Sequence, residues 1–319
     1  DRTFLANTTN RMFDLRRGML TVYECGYTAY RSERARREDA EWTVYESRQR
    51  KAAAAKRAAV VRQKLAVKVA QKPGGGGEDR DHKGRIAAKV LRTARILREK
   101  AVTEADVDKP WEEDVIPALD FPNVPRCADS MLHVDSLAKA YGERELFHDL
   151  SLRVVRGGRT AIVGPNGTGK TTLIRLILGA ESPDAGQVHT GRGVRIGYFA
   201  QEGENMDLAL SAVDVCKTVC GDETWVRTIL GCLRMRGSTP ERAVGLMSAG
   251  ERGKVALARL LLSDVNLLIL DEPTNHLDID AQEAVESTLS QFPGGILFVS
   301  HDRAFTGALA DDVVQLGER

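Results

Sequence analysis

Residues 164–172 read GPNGTGKTT and satisfy the spacing G-x-x-x-x-G-K-[ST], directly after the apolar run RTAIV and directly before TTLIRLIL. Glycines at this spacing let backbone N–H groups close around phosphate oxygens at the start of a helix. The loop residues Gly164, Pro165, Asn166, Gly167, Thr168 and Gly169 are therefore expected to cradle a nucleoside triphosphate, with Thr172 in the first helical turn. Lys170 reaches the β and γ phosphates, and the Thr171 hydroxyl can ligate Mg²⁺. About 100 residues downstream the run LLIL ends in Asp271 and Glu272. A buried strand ending in two carboxylates places Asp271 near the metal and Glu272 where it can polarise an attacking water.

Both stretches need a rigid platform, and the chain supplies one from Met131 onward. There the short apolar runs RTAIV, NLLIL and GGILFVS alternate with helical stretches. This alternation predicts an α/β domain over 131–319 with a largely parallel core sheet. The preceding chain is different. MLTVYECGY within residues 1–27 reads as a strand, and Thr28 to Gln71, free of Gly and Pro, reads as one long helix. KPGGGGEDRDHKG breaks that helix, and a second is expected from Arg85 to Lys100, with Ile86, Val90, Ala94 and Leu97 as one apolar stripe. Residues 28–110 are thus expected to form a helical hairpin arm with its tip at 72–84. The Pro-rich, acidic stretch 111–130 reads as an extended return connection.

Composition narrows the partners. Among the 319 residues 42% are hydrophobic, and no apolar run approaches the 18 or more needed to cross a bilayer, so no membrane insertion and a cytoplasmic location are expected. The cysteines Cys25, Cys127, Cys216, Cys220 and Cys232 are scattered, with no CxxC pair, which indicates neither a disulfide framework nor a zinc site. The net charge of +1 conceals a segregation. Arg48 to Lys100 holds 17 lysines and arginines against 4 acidic residues, a net +13, which leaves the rest at −12. A basic segment on an acidic body points to an anionic polymer. Arg57, Arg62, Lys64 and Lys68 are its candidate RNA-phosphate contacts. No Phe, Tyr or Trp lies in that segment, so contact is expected through shape and phosphate rather than base stacking.

Three further stretches fall into order around the phosphate loop: Gln201 in FAQE, LMSAGERGKVALARLLL from Leu246, and His301 in FVSHD. The order of phosphate loop, Gln, Ser-x-Gly-[EQ], carboxylate pair and His resembles the ATP-binding cassette family, over about 189 residues from Met131 to Arg319. The resemblance implies an ATPase with ATP and Mg²⁺ as cofactors. It implies that Gln201, with Thr171 and Asp271, serves the metal and couples it to the water, and that Glu272 and His301 act at the γ-phosphate. Tyr141, in AYGER, matches the aromatic position that stacks on adenine. Ser248, Ala249, Gly250 and Glu251 match the signature loop, which acts on a partner cassette's ATP; the family commonly has Gly where Ala249 stands.

DEPTNHLDID, residues 271–280, is similar to the F subfamily, soluble proteins with two cassettes joined by a helical-hairpin linker. The arm stands where that linker stands. The opening DRTFL also repeats in SHDRAF: Asp1, Arg2 and Phe4 match Asp302, Arg303 and Phe305 at one offset, and Leu15 falls on Leu316. Residues 1–27 are therefore expected to be the tail of a first cassette, absent here, which would be this chain's partner in ATP hydrolysis and without which the fragment is expected to be inactive. The resemblance further implies action on the ribosome and its RNA, as a translation factor or in protection from antibiotics, macrolide-type drugs among them. The alternatives are the ATP-binding subunit of an antibiotic exporter and a structural or DNA-repair ATPase.

Overall fold

The computed structural model describes residues 2–16, 18–71, 77–107, 118–122, 124–200 and 206–317. The chain divides into two compact units, one of Asp1–Asn7 with Asp114–Arg319 and one of Thr8–Glu113. It opens with α1 (Arg2–Thr8).

The smaller unit begins with an antiparallel hairpin of β1 (Met12–Arg16) and β2 (Met19–Tyr23). Only the second of these strands is legible as alternation. Then come α2 (Tyr27–Gln71) and α3 (Gly77–Ala105). The 45 residues of α2 give it a length of roughly 68 Å. The second helix starts at Gly77 rather than at the expected Arg85. The acidic run EDRD suits a helix N-terminus, and the pairing with α2 outweighs the roughly 1 kcal/mol cost of Gly84 inside a helix.

The seam of this hairpin is also not the expected one. Ile86 is exposed, while Ala87, Ala94 and Ala101 are buried at a seven-residue period, opposite Ala52, Ala59 and Ala66 at the same period. Val90 and Leu97 of the expected stripe lie half-buried at its edge. A heptad of alanines lets two helices approach closely and buries little apolar surface outside the seam. Arg98 donates to Gln63 across the pair, and Arg34–Glu38, Arg50–Glu46 and Arg95–Glu99 support the helices at i, i+4.

The larger unit starts with β3 (Ser130–Tyr141) and β4 (Arg144–Val155), which pair antiparallel, followed by β5 (Arg159–Val163), α4 (Lys170–Ile177), β6 (Ala185–Thr190) and β7 (Ile196–Phe199). It continues through α5 (Ala212–Lys217), α6 (Glu223–Cys232), α7 (Ala249–Leu261), β8 (Leu267–Asp271), α8 (Ile279–Ser290), β9 (Gly295–Val299), α9 (Arg303–Leu309) and β10 (Asp312–Gln315). Five strands form the expected parallel sheet, in the order β10-β5-β9-β8-β7. A second sheet of three antiparallel strands, β4-β3-β6, is not legible in the sequence.

The parallel sheet is buried on both faces, which is why its strands read as continuous apolar runs rather than as alternation. Leu268, Leu270, Ile296 and Phe298 face a core completed by α5, α6, α7 and α8. Leu267, Ile269, Leu297 and Val299 face the other core, with α4 and the antiparallel sheet. The return connection is not merely extended. Phe121 is buried in the first of these cores, edge-on to Trp225 and Phe292, and the Leu119 N–H donates to Gln291 at 2.8 Å. Cys216, Cys220 and Cys232 are buried as ordinary apolar fillers, the Cys216 thiol pushed up to about 12 by burial.

Candidate active site

The loop 164–169 links the central strand β5 to α4. Gly164 has φ 154°, and a Cβ there would stand 2.4 Å from the Leu316 carbonyl oxygen, just past β10. Gly169, at φ 98°, caps α4 in the left-handed region. The Thr168 hydroxyl donates to the Pro165 carbonyl at 2.9 Å, and Arg144 donates to the Gly167 carbonyl at 2.7 Å. Pro165, Asn166 and Gly167 are exposed at the tip. The Lys170 ammonium is buried inside the loop, donating to the carbonyls of Gly164 and Pro165 at 2.9 Å each. Burial lowers its pKa, opposed by the charges of Glu272 and Asp271.

Two parallel strands bring the other groups to the same corner. Asp271 ends β8, buried, and accepts from the Thr171 hydroxyl at 3.4 Å. Glu272 follows in the left-handed region at φ 53°, a strained position for a side chain of its size. Its N–H donates to the Val299 carbonyl at 3.0 Å, and its Oε2 accepts from the His301 N–H at 3.3 Å. The His301 Nε2 stands 3.3 Å from Glu272 Oε1 but out of line for a hydrogen bond, so that buried oxygen has no donor. Burial, then the charge of Lys170, lowers the His301 pKa.

Burial raises the pKa of both carboxyls. At Asp271 the Thr171 hydroxyl and Lys170 oppose it; at Glu272 the His301 N–H opposes it and the charge of Asp271 adds to it. The folded state therefore binds these protons more tightly than the unfolded chain. The stability they contribute is present at low pH and lost as the pH rises through the raised values. Glu272→Gln is accordingly expected to melt higher than the unaltered chain above neutral pH. The gap should close as the pH falls toward the ordinary glutamate range. A gap independent of pH in thermal melts would disprove this account.

Ser248 to Glu251 form a different surface. Ser248 caps α7 in a reciprocal box with Glu251: the Ser248 Oγ accepts from the Glu251 N–H at 3.2 Å, and Glu251 accepts from the Ser248 N–H at 2.8 Å. Among the described residues these groups bond to one another and to Arg242, not to the loop 164–172. Ala249 is exposed in the first turn, so its methyl meets no neighbour that would exclude it. Gly250 is tighter: a Cβ there would lie 2.5 Å from the His276 carbonyl oxygen.

Tyr141, at the end of β3, is 49% exposed; its hydroxyl donates to Glu181, and the Lys139 ammonium lies 5.5 Å above its ring. Gln201 lies outside the described residues. Arg57, Arg62, Lys64 and Lys68 are all exposed on α2, in the other unit.

Arg159 is a residue that sequence reasoning misses. Its buried guanidinium donates to the carbonyls of Gly157 at 2.6 Å, Gly294 at 3.0 Å and Ser290 at 3.3 Å, and to that of Phe292. It ties the start of β5 to the end of α8 and the approach to β9. Burial lowers its pKa, and Asp311 opposes this. No motif marks such a residue; a lone Arg opening an apolar run is the available signal.

A family model described as ABC transporter matches residues 147–275, which hold the phosphate loop, the Ser248 cap and the carboxylate pair. Residues 147–275 belong to the ABC transporter family. Two relatives align through both arm and cassette. One is the Energy-dependent translational throttle protein EttA of Escherichia coli (strain K12), 32% identical over 98% of this chain and 53% of its own length. The other is the Uncharacterized ABC transporter ATP-binding protein YfmR of Bacillus subtilis (strain 168), 31% identical over 98% of this chain and 47% of its own. The chain spans about half the length of the curated relatives it matches. A solved ATP-binding cassette, dimeric in a post-hydrolysis state and bound to ADP and Pi, covers 58% of this chain and 94% of its own at TM-score 0.50 and 20% identity, a likeness of fold. No described helix of the cassette or arm is long and apolar enough to cross a membrane.

Proposed function

We propose that the cassette binds ATP with Mg²⁺ at the corner formed by the phosphate loop, Asp271, Glu272 and His301, and that hydrolysis is completed by a second cassette. The convergence of an ammonium, two buried carboxylates and an imidazole on the glycine-rich loop that opens α4 supports this reading. The Lys170 ammonium and the loop hold the phosphates, and Tyr141 offers its exposed ring to the adenine. Hard oxygen donors suit Mg²⁺, and the Thr171 hydroxyl beside Asp271 is such a pair. When bound, the metal neutralises phosphate charge, with Gln201 joining from outside the described residues. The donorless Glu272 Oε1 accepts a proton from water, which orients and activates it for attack on the γ-phosphate. His301, held by Glu272, donates toward the same phosphate. Ser248 to Glu251, turned away from this corner, serve the ATP of the second cassette.

The arm extends the proposal to the ribosome, with the chain acting in translation or in protecting the ribosome from drugs. A relative named a translational throttle aligns through the arm, and the four candidate basic residues are exposed on α2. Co-sedimentation of the protein with ribosomes, trapped in ATP, tests this directly. Replacing Arg57, Arg62, Lys64 and Lys68 with Glu should weaken pelleting and flatten its dependence on log salt by about 3.6, near 0.9 for each of the four phosphates no longer neutralised. Pelleting with an unchanged salt slope would set the ribosome reading aside and favour the exporter-subunit alternative.

A further inference from the structure

The repeated Asp-Arg-x-Phe segment has an observable consequence at its arginines. The two copies are alike in structure as well as in sequence. Helix α1 (Arg2–Thr8) and helix α9 (Arg303–Leu309) are each 7 residues long, and each is followed by a strand. In the second copy Phe305 is fully buried against Phe298 in its own cassette's core. Arg303, two positions earlier and so on the other side of the helix, is exposed, with no hydrogen bond or ion pair among the described residues.

The first copy shows where such an arginine goes. Arg2 is buried, with 8% of its side chain exposed, in a pocket of three carboxylates on the cassette: Glu286 at 3.0 Å, Asp302 at 3.7 Å and Glu283 at 4.0 Å. Glu283 and Glu286 stand one turn apart on α8, and Asp302 caps α9. A guanidinium can reach several of these carboxylate oxygens at once, which makes the pocket selective for an arginine.

We infer that Arg303 is a docking residue that enters an acidic pocket of this kind on a second ATP-binding cassette. The partner it fits presents two carboxylates one helical turn apart beside an Asp helix cap. In a pair of cassettes the two arginines would be exchanged reciprocally, each helix anchored to its own core by its Phe side and to its neighbour by its Arg side. The inference rests on the reading that ATP is hydrolysed between two cassettes, and it adds contacts that lie outside the nucleotide.

A second copy of this chain serves as the partner in the test. Sedimentation equilibrium with ATP and Mg²⁺ would compare the Glu272→Gln chain with versions adding Arg2→Ser, Arg303→Glu, or both. Arg2→Ser opens the pocket to the other copy's Arg303, so pairing should tighten about tenfold, and Arg303→Glu should cancel that gain. A contact-specific trap accompanies it: a chain carrying Arg303→Cys is mixed under oxidising conditions with one carrying Arg2→Ser and Glu286→Cys. A disulfide-linked heterodimer, absent from mixtures lacking either new cysteine, is expected. Failure to form it overturns the inference whatever the nucleotide does, as does equal pairing of the Arg2→Ser chain with and without Arg303. Loss of ATP-dependent pairing while the disulfide still forms overturns the two-cassette reading of hydrolysis instead.

Discussion

Glu272→Gln should lower ATP turnover by about 10²- to 10⁴-fold in the protein paired with the second cassette proposed above, while ATP affinity should stay within about twofold. The first figure is what a well-placed general base contributes. The second follows from the geometry: Lys170 is bonded to the loop carbonyls, Thr171 to Asp271, and neither bond uses Glu272. Gln keeps the size and can still accept the His301 N–H, so the corner stays assembled. What it loses is the charge on the donorless Oε1, the atom available to a water. Phosphate release and binding of a fluorescent ATP analogue would be measured on the same preparation. A large loss of binding would reassign Glu272 to holding the loop; unchanged turnover would move the base elsewhere.

Arg159→Ala should cost about 3–5 kcal/mol of cassette stability, the penalty of breaking a buried, fully hydrogen-bonded charge network. At roughly 2–4 °C per kcal/mol for a domain of this size, the melting temperature should fall by about 10 °C. The alanine removes the guanidinium donor from the buried carbonyls of Gly294 and Phe292 and from the part-buried carbonyl of Gly157, and disconnects the strand that carries the phosphate loop. Arg159→Lys should rescue little, because an ammonium cannot span acceptors that a planar guanidinium fork reaches together. ATP affinity measured well below the melting transition should change far less than stability. Melting within about 2 °C of the unaltered chain would show that the clasp is dispensable.

What is legible in the sequence and what is not divide along physical lines. The loop 164–172 can be read because its chemistry requires fixed residue types at fixed spacing. The strands of the parallel sheet can be read because burial on both faces leaves unbroken apolar runs. The antiparallel sheet escapes: β3 and β4 are long, half-exposed and interrupted by bulges near Val134 and Leu137, so their alternation is broken where it would be counted. The start of α3 escapes because glycine is ordinarily a helix breaker, whereas tertiary pairing decides the matter there. Arg159 and the Arg2 pocket escape for a common reason. Each is a cation most of whose partners lie more than 100 residues away, where nothing in the sequence pairs them with it.

The alanine seam of the arm bears on how such arms change in length. Ala52, Ala59 and Ala66 on α2, with Ala55 between them, and Ala87, Ala94 and Ala101 on α3 bury one small side chain per heptad along the seam. Seven residues added to both helices, or removed from both, would leave each remaining alanine opposite an alanine and each basic side chain on its original face. The reach of the arm would change by about 10.5 Å per heptad, at 1.5 Å per residue. Insertions of other lengths would rotate bulkier side chains into the seam and force the helices apart. Arm length is therefore quantised: related arms should differ from this one in matched pairs of heptads, so that their tips sample distances in steps of one heptad rather than continuously.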